Sequence, residues 1–83
     1  MKNVDTISPA QSRAARGLLS ITQTELASLA SLGQSTVIDF ERERRVVSDS
    51  AIAGIRVALE QAGVEFISEN GGGPGVRLKG EKI

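Results

Sequence analysis

The residues with most chemistry to offer lie between Thr22 and Val47, in the stretch TQTELASLASLGQSTVIDFERERRVV. Helical spacing in its second half places Val37, Phe40 and Glu41 on one face and Gln34, Ser35, Ile38, Asp39 and Arg42 on the other. A surface helix needs one buried stripe. Here the opposite face carries short hydrogen-bonding side chains, and a basic run, Arg42, Arg44 and Arg45, follows it. A glutamine offers an acceptor and a donor together, which matches the major-groove edge of adenine, a pairing worth about 1–3 kcal/mol of discrimination. Such a face suits a helix that enters a DNA groove. It does not suit catalysis. The chain has no His, Cys or Tyr, which removes the usual nucleophile–base pairs. Asp39, Glu41 and Glu43 stand at i, i+2 spacing, which turns them to different sides of a helix. No enzyme activity is expected, and neither a cofactor nor a metal.

The candidate contacts divide by type. Gln34 can read a base, and Ser35 and Thr36 can bond to bases or phosphates. Ile38 has two readings of equal weight, an apolar contact to a thymine methyl or a partly buried core residue. Asp39 can accept from a cytosine amino group while repelling phosphate, or it is a solvated acid. Arg42, Arg44 and Arg45 form a basic corner where a DNA backbone would pass, and at least one is expected on a phosphate. Arg13 is a further phosphate contact or a solvated charge. Gln23 sits in the first turn of the preceding helix, where the N-terminal N–H groups and its side chain can face a phosphate together.

Ser31-Leu32-Gly33 is too short a link for anything but a sharp turn, so the stretch reads as a helix-turn-helix. With Gln23 opening its first helix and Gln34 its second, TQTELASLA followed by LGQSTVIDFE resembles the phage-repressor and Cro family, the XRE-type helix-turn-helix regulators of bacteria and phages. The likeness covers roughly residues 10 to 60. It implies that Gln23 holds a phosphate and braces Gln34, that Gln34 reads a base, and that Arg16 and Glu41 form an ion pair tying the first helix to the recognition helix, residues 34–43. Three positions depart from the family pattern: Ser31 where a turn glycine is common, Gly33 where a capping hydroxyl is common, and Glu43 where a glycine usually ends the helix.

The elements that must position these residues are legible in order. Ser8-Pro9 starts a helix, with serine as N-cap and proline at the first position; Ala10, Ala14, Leu18 and Leu19 then make its apolar stripe, with Gly17 near its end. Residues 1–7 read as a loose leader. Thr22 and Glu25 make a capping box, and Leu26, Leu29 and Ala30 form the inward face behind it. Ser48 or Ser50 opens a further helix whose core face is Ile52, Ile55, Leu59 and Ala62, with Arg56 and Glu60 paired outside and Gly63 as terminator. Val64–Ser68 and Val76–Leu78 are strand-like around a glycine-rich loop. That loop is no phosphate cradle, because no Lys-Ser/Thr and no helix follow it. The expected architecture is mainly α: a four-helix bundle over 8–62, then a C-terminal β-hairpin over 64–79, in a single domain.

Eighty-three residues sit near the size at which one core is just adequate, and with two aromatics, Phe40 and Phe66, that core must be aliphatic. The absence of cysteine fits a reducing compartment, and MKNVDTISPA has no apolar signal region, so a cytoplasmic protein without a membrane span is expected. Ten basic and ten acidic residues balance to zero net charge, which predicts modest non-specific affinity for DNA and a need for two subunits. The expected function is sequence-specific binding of double-stranded DNA by a homodimer on a palindromic operator, acting as a transcriptional regulator, most simply a repressor. With no room for a ligand-binding domain, control would come from protein concentration, occupancy of neighbouring operators or a partner protein. The alternative is an antitoxin-like module whose main partner is another protein. Helix four and the hairpin both remain open as the dimer seam.

Overall fold

The computed structural model describes residues 6–69 and 71–80. Four helices, α1 (Pro9–Leu19), α2 (Gln23–Ala30), α3 (Gln34–Glu41) and α4 (Asp49–Ala62), precede an antiparallel pair of strands, β1 (Val64–Ile67) and β2 (Gly75–Leu78). This is the expected mainly α architecture with a C-terminal hairpin.

Local chemistry sets most of the boundaries. Thr22 and Glu25 form the expected capping box, and Ser8 forms a second one with Gln11, each hydroxyl accepting from the N3 amide while the N3 side chain accepts from the cap's N–H. Ser48 is the cap of α4, its Oγ accepting from the Ala51 amide at 3.1 Å. Gly63 ends that helix at φ 123°, a backbone region that a side chain rarely adopts. The three departures from the repressor pattern fall at turns. Ser31 and Glu43 take the left-handed conformation at φ 57° and 58° without being glycine, and Gly33 begins α3 with no side-chain cap. The turn at Glu43 stops α3 at Glu41, so the recognition segment expected over 34–43 is two residues shorter as a helix.

The inward faces differ from expectation in three places. Along α1 the buried residues are Gln11, Ser12 and Ala15, whereas Ala10, Ala14 and Leu18 are exposed and Leu19 is half-buried. The apolar stripe is not the packed one, because two polar side chains on the inner face have partners that offset the cost of burying them. In α2, Leu26 and Ala27 are buried while Leu29 is 56% exposed; it lies about 60° from Leu26, on the side away from Ala27. In α4 the core face is Ala51, Ile55, Ala58 and Leu59, with Ile52 half-buried and Ala62 exposed. Ile7 joins the core at 3% exposure, so the leader reading fails at that residue; its residues 1–5 lie outside the described residues.

One largely aliphatic cluster holds the chain together, running from Ile7 through Leu26, Val37, Phe40, Ile55 and Leu59 to Val64. The hairpin belongs to it. Val64 is fully buried, and Phe66 and Val76, which face each other in the ladder, pack against the cluster with partial exposure. Gln11 fastens the strands to α1, its Nε2 donating to Gly75 O at 2.9 Å and Ile67 O at 3.4 Å. A two-stranded ribbon is marginal alone, and here the helices of its own chain supply the support. The Arg56–Glu60 pair forms at 3.0 Å but is half-buried, with the guanidinium 5.6 Å from the centre of the Phe66 ring. Among the described residues no helix is long and apolar enough to cross a membrane.

Candidate nucleic-acid interface

The candidate surface is built on a buried carboxylate. Glu41, the last residue of α3, has no exposed surface. Arg16 of α1 donates to it from Nε at 2.9 and 3.0 Å and from Nη2 at 2.7 Å. Ser12 Oγ donates at 2.6 Å and Gln23 Nε2 at 3.1 Å. The Glu41 carbonyl also accepts from Arg13 Nη1, and Arg16 Nη1 donates to Ile21 O at 3.3 Å. Burial pushes the Glu41 carboxyl up, but the hydrogen bonds from Arg16, Ser12 and Gln23 and the Arg16 charge outweigh it and leave the group below its ordinary value. Three helices thus meet on one side chain, and no buried side-chain nitrogen or oxygen among the described residues lacks a partner. The result is a fixed orientation for α3.

That orientation turns the other face of α3 outward. Gln34 and Ser35 are exposed at its start; Thr36, Ile38 and Asp39 are half-buried along it. Arg42, Arg44 and Arg45 stand exposed beyond its end. Ile38 is half-buried, so both of its readings stay compatible with its position. Asp39 is not a free acid. Its carboxylate accepts from Arg45 Nε at 2.7 Å, and its carbonyl accepts from the Arg44 amide at 2.9 Å. One residue on the outer face thereby shapes the basic loop, and the ion pair offsets a charge that would repel an approaching anion.

The two glutamines do not pair with each other. Gln23 gives its amide to the buried Glu41, whereas Gln34 Nε2 donates to Thr24 Oγ1. Arg13, exposed overall, spends one guanidinium nitrogen on the end of α3. Sequence reasoning passed over Thr24, Gln11 and Val46. Thr24 and Gln11 sit among polar helix residues with nothing in their type to mark a distant partner. Val46 is 94% exposed beside the arginines, an apolar side chain presented to solvent with no periodicity around it. The described residues contain no group of three His, Cys, Asp or Glu side chains placed to hold a metal.

The surface is therefore a row of neutral donors and acceptors ending in cations. It can hydrogen-bond to a patterned polar edge and attract anions along its margin. No protein-family model matches the chain, and a comparison with curated proteins finds no match. The functional reading rests on the residues and their placement.

Proposed function

We propose that this protein is a sequence-specific double-stranded DNA-binding regulator of transcription that lays α3 in the major groove. The observation that carries the proposal is the division of α3: Val37, Phe40 and Glu41 are buried, and Gln34, Ser35, Asp39 and the following arginines face out from a helix whose orientation the Glu41 cluster holds. With its side chains an α-helix is about 10–12 Å across, close to the width of about 12 Å that the major groove offers. Gln34 and Ser35 then meet base edges, and Arg42 and Arg44 meet the sugar–phosphate backbone.

The zero net charge argues that one copy gains little from phosphate attraction alone. Two copies on a two-fold symmetric site double the base contacts, and the expected operator is a palindrome with half-sites about 10–10.5 bp apart. A homodimer occupying such a site represses by excluding polymerase, which asks nothing more of the chain than occupancy.

The test is selection of bound duplexes from a random DNA pool, with protein shown to be folded. Enrichment of a palindrome with that spacing is the expected result. Recovery of the starting pool without enrichment would overturn the reading.

A further inference from the structure

Resting on that reading, we propose that Thr24 is the residue that positions the base-reading amide of Gln34, and that Gln23 is a structural member of the Glu41 cluster. The two residues are neighbours in the first turn of α2, yet their surroundings are opposite. Gln23 is half-buried and bonded to a carboxylate with no exposed surface. Thr24 is exposed and accepts from Gln34 across the gap between α2 and α3.

The chemistry of the bond defines what Gln34 can read. Its amide has two N–H donors and one oxygen with two lone pairs. One N–H is committed to Thr24 Oγ1, which restrains the amide and leaves one donor and one acceptor for a partner. That pair complements the adenine major-groove edge, where N7 accepts and N6–H₂ donates. Gln34 is the first residue of its helix, after an N-cap with no side chain, so its own backbone restricts it little. Holding a side chain of this kind costs rotamer freedom, and a bond already present in the unbound protein removes part of that cost from the binding step. A threonine hydroxyl suits the task because its Oγ1 is held close to the helix by a β-branched side chain with few rotamers.

The two roles separate by experiment. Binding is measured for an operator recovered from the random pool and for the same operator with the Gln34 base pair exchanged, the pair being the one at which Gln34→Ala loses preference. Thr24→Val keeps the shape and removes the hydroxyl; the expected result is an about three- to tenfold loss of discrimination at that base pair, a fraction of a full bidentate contact, with the salt dependence unchanged. Thr24→Ser restores the discrimination. In a Gln34→Ala background Thr24→Val has no further effect at that base pair. Gln23→Ala, in contrast, lowers the midpoint of urea unfolding and leaves the discrimination ratio of the folded protein at its wild-type value. Full discrimination in Thr24→Val, or the same loss with Gln34 already removed, would overturn the positioning role while leaving the DNA-binding reading intact. A lost ratio in folded Gln23→Ala would return the brace to Gln23. Wild-type protein with no sequence preference would overturn both proposals together.

Discussion

Two acidic residues, two positions apart on one short helix, each hold an arginine at 2.7 Å, and they do different things. Glu41 meets Arg16 with side-chain exposures of 0% and 20%, while Asp39 meets Arg45 with exposures of 19% and 51%. Equal distances do not imply equal energies. Around Glu41 water is gone, every lone pair has a donor from α1 or α2, and removing a partner strands a charge. Around Asp39 water competes with the guanidinium and salt screens it, so the pair contributes little to stability. Burial assigns one carboxylate to holding the helix and leaves the other to shape the surface the helix presents.

The largest effect should come from breaking the buried side of that comparison. Arg16→Met leaves Glu41 with only Ser12 and Gln23 as donors. The expected loss is about 3 kcal/mol, the low end for a broken buried pair because Arg16 retains some exposure and two donors remain; urea unfolding measures it, and a loss within 1 kcal/mol would reduce the cluster to an ordinary surface pair. Acid should act at the same place. The folded pKa of Glu41 lies below its ordinary value of 4.5, so its contribution is complete above that value and disappears as pH falls from 4.5 through the depressed folded pKa. Stability measured against pH should therefore lose part of its acid slope in Glu41→Gln, and an unchanged slope would assign that titration to other carboxylates.

The exposed side should respond in binding and not in folding. Gln34→Ala is expected to lose about 1–3 kcal/mol of discrimination at one base position with the unfolding midpoint unchanged; loss of stability in its place would show that the outer face is not free for a ligand. Arg44→Ala should weaken binding to all duplexes alike and make the slope of log K against log salt shallower by about one. A constant slope would remove Arg44 from the backbone contacts. The smallest effect belongs to Arg45→Ala, which should change stability by no more than about 1 kcal/mol, the direct counterpart of Arg16→Met. If the two arginine variants proved equally destabilising, the contrast between buried and exposed pairs would fail.

What the sequence by itself determined is the set of structures written within three or four residues. Ser8 and Thr22 cap their helices with hydroxyls that reach amides three positions on, Ser48 rather than Ser50 does the same for α4, and Gly63 ends α4 through its own φ. The ion pair of Arg16 and Glu41 was legible through resemblance to the repressor pattern, and the structure contains it. Partners elsewhere were a tertiary decision. Gln11 finds strand carbonyls 56 and 64 residues away, and Ser12 finds Glu41 29 residues away; those bonds turn a polar face of α1 inward, against the stripe that hydrophobic spacing favoured. Gln23 and Thr24 make the same point at closest range. Both are polar, both open α2, and nothing in their identities says which will face Glu41 and which Gln34. The packing of α1, α2 and α3 around a single carboxylate makes that choice, because a buried charge must collect donors from whatever elements surround it.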